Sequence, residues 1–115
     1  MNDPTDDGKE NGRAQVLEPA TQRRRKSNSP LILGQVVATR GAFAVVGQQD
    51  IMEALARHVQ GDWGEVSPED WQENDFSVAN GYRVLSAYRT TAGTKFWIIT
   101  EADRSATTVL LPDEY

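Results

Sequence analysis

Lys95-Phe96-Trp97-Ile98-Ile99-Thr100-Glu101-Ala102-Asp103-Arg104-Ser105 is an apolar strand that runs straight into a compact charged corner. Apolar residues occupy every position from Phe96 to Ile99, so both faces of this strand need cover, and it belongs at the centre of a sheet. Its neighbours follow from a period of two. Tyr82 to Thr90 alternates Tyr82, Val84, Ser86 and Tyr88 against Arg83, Leu85, Ala87 and Arg89, and Thr91-Ala92-Gly93 turns the chain into Thr94 to Thr100. Beyond the charged corner, Thr107 to Leu111 reads as a further strand, ended by Pro112. These strands are expected to form an antiparallel meander, with helices on one side and Trp97 at least partly covered on the other.

Upstream, Leu31 to Thr39 (LILGQVVAT) reads as a first strand, in which Gly34 marks a bulge or a close backbone approach. Thr39 can cap a short helix through Ala42, Phe43, Ala44 and Val45, stopped at Gly47. Ile51, Met52, Leu55, Ala56 and Val59 then fall on one helical face, with Glu53, Arg57 and Gln60 toward water. The expected helix runs from about Ile51 to Gln60, with Asp50 as N-cap and Gly61 just past its end. A third helix is announced by Ser67 as N-cap, Pro68 at the first helical position and Asp70 reaching back toward the cap. Val66 and Trp71 form a hydrophobic staple, Trp71, Val78 and Phe76 supply its packing surface, and Asn80-Gly81 stops it. The resulting order is β-α-α-α-β-β-β, an α+β fold with helices packed on one face of a small, mainly antiparallel sheet.

Residues 1–29 contain only Met1, Val16 and Leu17 as large apolar residues. They cannot bury enough surface to offset their ordering entropy and are expected to be a disordered tail, leaving residues 30–115 as a single α+β domain. The chain has no cysteine, which excludes a disulfide, a thiol nucleophile and a zinc-thiolate site. No apolar run approaches a membrane span and no apolar leader follows the first charges, so a cytoplasmic protein without membrane contact is expected. Charge divides unevenly: residues 1–29 hold six Lys or Arg against five Asp or Glu, residues 30–115 six against twelve. An acidic domain repels phosphate, which disfavours nucleic-acid binding by the folded part. Arg23-Arg24-Arg25-Lys26 in the tail is either a solubilising patch or a contact for nucleic acid or an acidic partner.

Unusual chemistry concentrates at two places, Arg57-His58-Val59-Gln60-Gly61-Asp62-Trp63-Gly64 and Thr100 to Ser105 with Thr107-Thr108 behind it. His58 is the only histidine, so any imidazole acid-base role falls on it; near a helix C-terminus it either caps the last carbonyls or gains a proton from the dipole. Asp62, Glu101 and Asp103 could share a magnesium ion only if the two corners meet, and no metal or other cofactor is expected. Trp63 either plugs the core edge, its indole N–H finding a carbonyl, or anchors a partner. Asp103 and Arg104 form a turn cap and an ion pair, or else Arg83, Arg89 and Arg104 make a basic spot for phosphate or carboxylate. Nucleotide-binding loops and the common hydrolase motifs are absent from the sequence.

Gly34 to Thr39, Arg57-His58 through Gly61 to Gly64, Gly81 to Tyr88 and Trp97 to Ser105 together resemble a family of small uncharacterised bacterial proteins carried on plasmids and integrated elements. The resemblance covers roughly Leu31 to Tyr115 and implies no activity; Arg40 stands where proline is frequent in such sequences. The strand, helices and meander are also similar in architecture to the RelE/ParE toxin superfamily, which implies a ribonuclease using His58, Arg83 and Arg104.

The sequence therefore points to a non-enzymatic protein-binding or regulatory module of a bacterial mobile element. His58, Asp62, Trp63, Glu101, Asp103 and Arg104 are its expected partner-binding residues, for a protein partner whose identity is open. The toxin-like ribonuclease is the alternative. A homodimer is also expected, if Thr107 to Leu111 lies at the sheet edge.

Overall fold

The computed structural model describes residues 30–115. The disordered tail read at residues 1–29, and the contact read at Arg23, Arg24, Arg25 and Lys26, lie outside the described residues. The elements are β1 (Gln35–Ala38), α1 (Arg40–Val46), α2 (Gln48–Val59), α3 (Pro68–Asn80), β2 (Val84–Arg89), β3 (Lys95–Thr100) and β4 (Ala106–Leu110), followed by a 3-10 turn at Pro112–Glu114. The fold is α+β with the expected element order. Strands β2, β3 and β4 form the antiparallel meander, β1 adds parallel to β4, and the sheet order is β1-β4-β3-β2. β4 is thus interior, contrary to the expectation that it lies at an edge, because its free side is taken by β1.

Local chemistry explains the helix boundaries. The Thr39 hydroxyl accepts from the Ala42 amide at 3.0 Å, and the Ser67 hydroxyl accepts from the Asp70 amide at 3.0 Å. Gly81 terminates α3 in the left-handed region, φ 77°, where its missing Cβ removes the strain. α2 starts earlier than expected: Gly47 is its N-cap, and Asp50 lies in its first turn. The first strand is shorter than expected because Leu31 leaves the sheet plane, donating its amide to the Val59 carbonyl at 3.1 Å and burying its side chain. Gly34 permits the entry into β1. It has φ +65°, and a Cβ there would collide with the backbone of Arg104 and Ser105.

One sheet face, formed by Val84, Ser86 and Tyr88 with Phe96, Ile98, Thr100, Thr107 and Val109, carries the helices. α1 contributes Ala42 and Val46 to this core, and α2 contributes Ile51 and Ala54 with Leu55 beside them. A second cluster joins Leu31, Trp63 and Val84 to Trp71 and Val78 of α3. The buried stripe of α2 is Ile51, Ala54 and His58, with Met52 and Ala56 exposed. That stripe is rotated from the expected one because a polar imidazole occupies a core position. On α3 the buried residues are Asn74 and Ser77, while Phe76 faces outward.

The opposite face is covered over its middle by the C-terminus. The Tyr115 ring meets Trp97 edge-on at 5.7 Å, and the Arg83 guanidinium lies 5.4 Å above it and donates to its hydroxyl at 2.6 Å. Among the described residues no helix is long and apolar enough to cross a membrane.

Candidate functional site

His58 is fully buried between α2 and the sheet, and its surroundings fix its protons. Thr107 Oγ1 donates to the Leu33 carbonyl at 2.8 Å, since a carbonyl can only accept. Thr107 therefore accepts from Thr100 Oγ1 at 2.7 Å, and Thr100 in turn accepts from His58 Nε2 at 2.8 Å. His58 thus carries its proton on Nε2, which leaves Nδ1 to accept from the Ser86 hydroxyl at 2.5 Å. Burial holds the imidazole neutral and pushes its pKa down from 6.5 to about 4, with the nearby Arg104 charge adding to the effect. The expectation that the helix dipole protonates His58, or that it caps the last carbonyls, is overturned: desolvation outweighs the dipole, and both ring nitrogens are engaged by sheet hydroxyls. A ring with no solvent exposure also cannot touch a partner or a substrate.

The Gly61 to Gly64 corner is structural as well. Arg57 holds Asp62 through two bonds of 2.8 and 3.2 Å, and the Gly64 amide adds a third at 3.1 Å. These bonds keep the Asp62 carboxyl below the ordinary carboxylate range, Arg57 first. Trp63 is fully buried and stands edge-on to His58 at 5.5 Å. It plugs the core, but its indole N–H donates to the Asp75 carboxylate at 2.9 Å rather than to a carbonyl. The Tyr88 hydroxyl donates to the Asp62 carbonyl at 2.7 Å, and burial pushes its pKa up.

The Glu101 to Ser105 corner presents a different surface. Glu101 and Asp103 are exposed, and the Asp103 carboxylate accepts from the Ser105 amide at 3.0 Å, which closes the turn. Arg104 adopts φ 62° and makes no ion pair with Asp103. Its guanidinium instead donates to the carbonyls of Tyr82 at 2.8 Å, Glu101 at 3.0 Å and Ser77 at 3.1 Å. One cation therefore ties the β3–β4 turn to the negative end of α3. On that base Phe76 and Tyr82 stack at 6.0 Å with an interplanar angle of 16°, each 56% exposed. Glu73 lies one helical turn before Phe76, also exposed.

The structure does not gather His58, Arg83 and Arg104 into one cleft. Arg83 packs on Tyr115, which in turn meets Trp97 on one face of the sheet, and His58 is sealed on the other. Arg89 pairs with Glu65 at 2.8 Å. Among the described residues, the three side chains that the ribonuclease alternative would use therefore do not share one accessible surface. Asp62, Glu101 and Asp103 do not assemble either: among the described residues no three acidic or histidine side chains come together as a metal site.

Fold and site together define a small α+β domain with a proton-ordered histidine core and an exposed aromatic pair beside an acidic turn. Comparison with protein-family models, curated protein sequences and solved structures finds no match. The surface contribution of Phe76 and Tyr82 was missed in the sequence, where Phe76 read as a packing residue of α3 and Tyr82 as the start of an alternating strand. Their signal was the helix stop Asn80-Gly81, which folds the chain back and sets Tyr82 against the previous turn of α3.

Proposed function

We propose that this domain is a non-enzymatic protein-binding or regulatory module whose partner surface is the Phe76–Tyr82 pair with Glu73, Glu101 and Asp103 around it. The observation that carries the reading is that aromatic stack, half open to solvent on a base held by three Arg104 hydrogen bonds. Rigid aromatic side chains lose little entropy on docking and concentrate interface energy, while a rim of one sign selects its partner by charge. The complementary partner is a protein with an apolar pocket bordered by Lys or Arg. The motif resemblance adds a bacterial mobile element as its setting, with the cytoplasm as compartment.

Affinity capture from a bacterial lysate with the full chain, beside the Phe76→Ala/Tyr82→Ala double variant, tests this. A basic-rimmed protein retained by the wild type should be lost at least about tenfold by the variant, since two interface aromatics are worth more than 1.4 kcal/mol together. Capture that is unchanged in the variant, or recovery of RNA in place of protein, refutes the reading.

A further inference from the structure

The two edges of the sheet are built differently. On β2 the outward backbone groups of Leu85 and Ala87 are occupied. Asn74 of α3 donates to the Leu85 carbonyl at 2.8 Å and accepts from the Leu85 amide at 3.2 Å, imitating a neighbouring strand. The Ala87 amide donates to the Trp63 carbonyl at 3.1 Å, and the Ala87 carbonyl accepts from the Glu65 amide at 2.7 Å. That edge is closed from Leu85 to Ala87.

β1 has no such cover among the described residues. Gln35 donates to the Ser105 carbonyl just before β4 at 3.0 Å and Thr39 to the Val109 carbonyl at 2.9 Å, so alternation turns Gln35, Val37 and Thr39 inward and the N–H and C=O of Val36 and Ala38 outward. Every residue of β1 is exposed, Val36 by 43% and Val37 by 42%, and Gln35–Ala38 contains neither charge nor proline. Edge strands ordinarily carry such features to prevent pairing. Exposed Ile32 precedes the strand, and exposed Phe43 and Val45 lie on the helix that leaves it at Thr39.

We propose that β1 is the seam of a homodimer, with β1 of a second copy adding antiparallel about a two-fold axis through Val37. In that register Val36 exchanges both backbone bonds with Ala38 of the second copy, and Ala38 does so with its Val36. Every outward group of both strands is then satisfied, and the two Val37 side chains meet beside the axis. A second copy fits better than a charged peptide because the seam is uncharged, with Val36 and Ala38 on one face and Val37 beside the neutral Gln35 on the other. The β2 edge, closed from Leu85 to Ala87, limits growth, so the sheets join in a pair and not in an open chain. Both copies are acidic over residues 30–115, so screening their repulsion with salt strengthens the pair.

Light scattering on the full chain across concentration and salt tests the proposal. The wild type should rise from 12.8 kDa to twice that mass, at lower concentration when salt is added. Val36→Pro removes only an outward N–H and leaves the bonds to β4, and Val37→Lys places a charge on the axis; both should stay monomeric with an unchanged circular dichroism spectrum. Hydrogen exchange should show protection of the Val36 and Ala38 amides that grows with concentration. A monomer at millimolar concentration, assemblies larger than two, or a dimer that survives both substitutions overturns the proposal. So does dissociation by salt, the mark of a basic tail on an acidic domain, and so does concentration-independent amide protection, the mark of an edge covered by its own chain.

Discussion

Replacing the pH of the buffer is the most direct perturbation of the buried His58. In the folded state its pKa lies at about 4, and in the unfolded chain near 6.5. Between those values the unfolded chain binds a proton that the folded state refuses, so stability is complete above pH 6.5 and falls as the pH drops. Each pH unit in that window removes up to about 1.4 kcal/mol, which amounts to roughly 3 kcal/mol by pH 4. Urea denaturation of the wild type and of His58→Gln at several pH values between 7 and 4 measures it, because the carboxylates are common to both and cancel in the difference. The wild type should lose about 3 kcal/mol relative to the variant across the window. Nitrogen NMR of the imidazole in the native protein supplies a second reading that does not depend on the variant folding: the Nε2–H tautomer should persist to pH 5. Equal slopes for the two proteins, or an imidazole that titrates near 6.5 in the folded state, would refute the neutral buried state of His58, and an Nδ1–H tautomer would refute the proton order derived from Leu33, Thr107 and Thr100.

Further outcomes follow from the edges and turns. Asn74→Ala should lower unfolding free energy by about 1–3 kcal/mol in urea titration, because both Leu85 backbone groups lose their partner. Gly64→Ala and Gly81→Ala both force alanine to positive φ, but only at Gly64 does a Cβ strike the Ala87 carbonyl and the Tyr88 ring. Gly81→Ala should therefore cost about 1 kcal/mol and Gly64→Ala about 3 kcal/mol or more, read as a difference in denaturation midpoint. Arg104→Lys should lose about 1–2 kcal/mol despite keeping its charge, since an ammonium cannot fork between the Tyr82, Glu101 and Ser77 carbonyls; equal stability of the lysine variant would reduce Arg104 to a simple dipole charge.

Ser67-Pro68, Thr39, Asn80-Gly81 and the alternation from Tyr82 onward determined α1, α3 and the meander in the sequence, because capping and strand periodicity act within a few residues of the chain. The central place of β3 was legible for a similar reason: four consecutive apolar residues need two covered faces. What the sequence did not determine are features made by residues far apart along it. His58 read as a helix-end cap or a partner contact because histidine is polar, yet it meets Ser86 and Thr100, 28 and 42 positions away, and their hydroxyls make a core position acceptable. Arg104 read as half of an ion pair until α3 brought three carbonyls to it. The edges were likewise decided in three dimensions: β1 crosses back to lie parallel on β4, which buries the strand expected to be free and leaves Val36 and Val37 exposed instead. Local propensity specifies which segments become helix or strand, but only tertiary packing chooses which backbone groups remain unpaired, and the open edge and the aromatic surface are consequences of that choice.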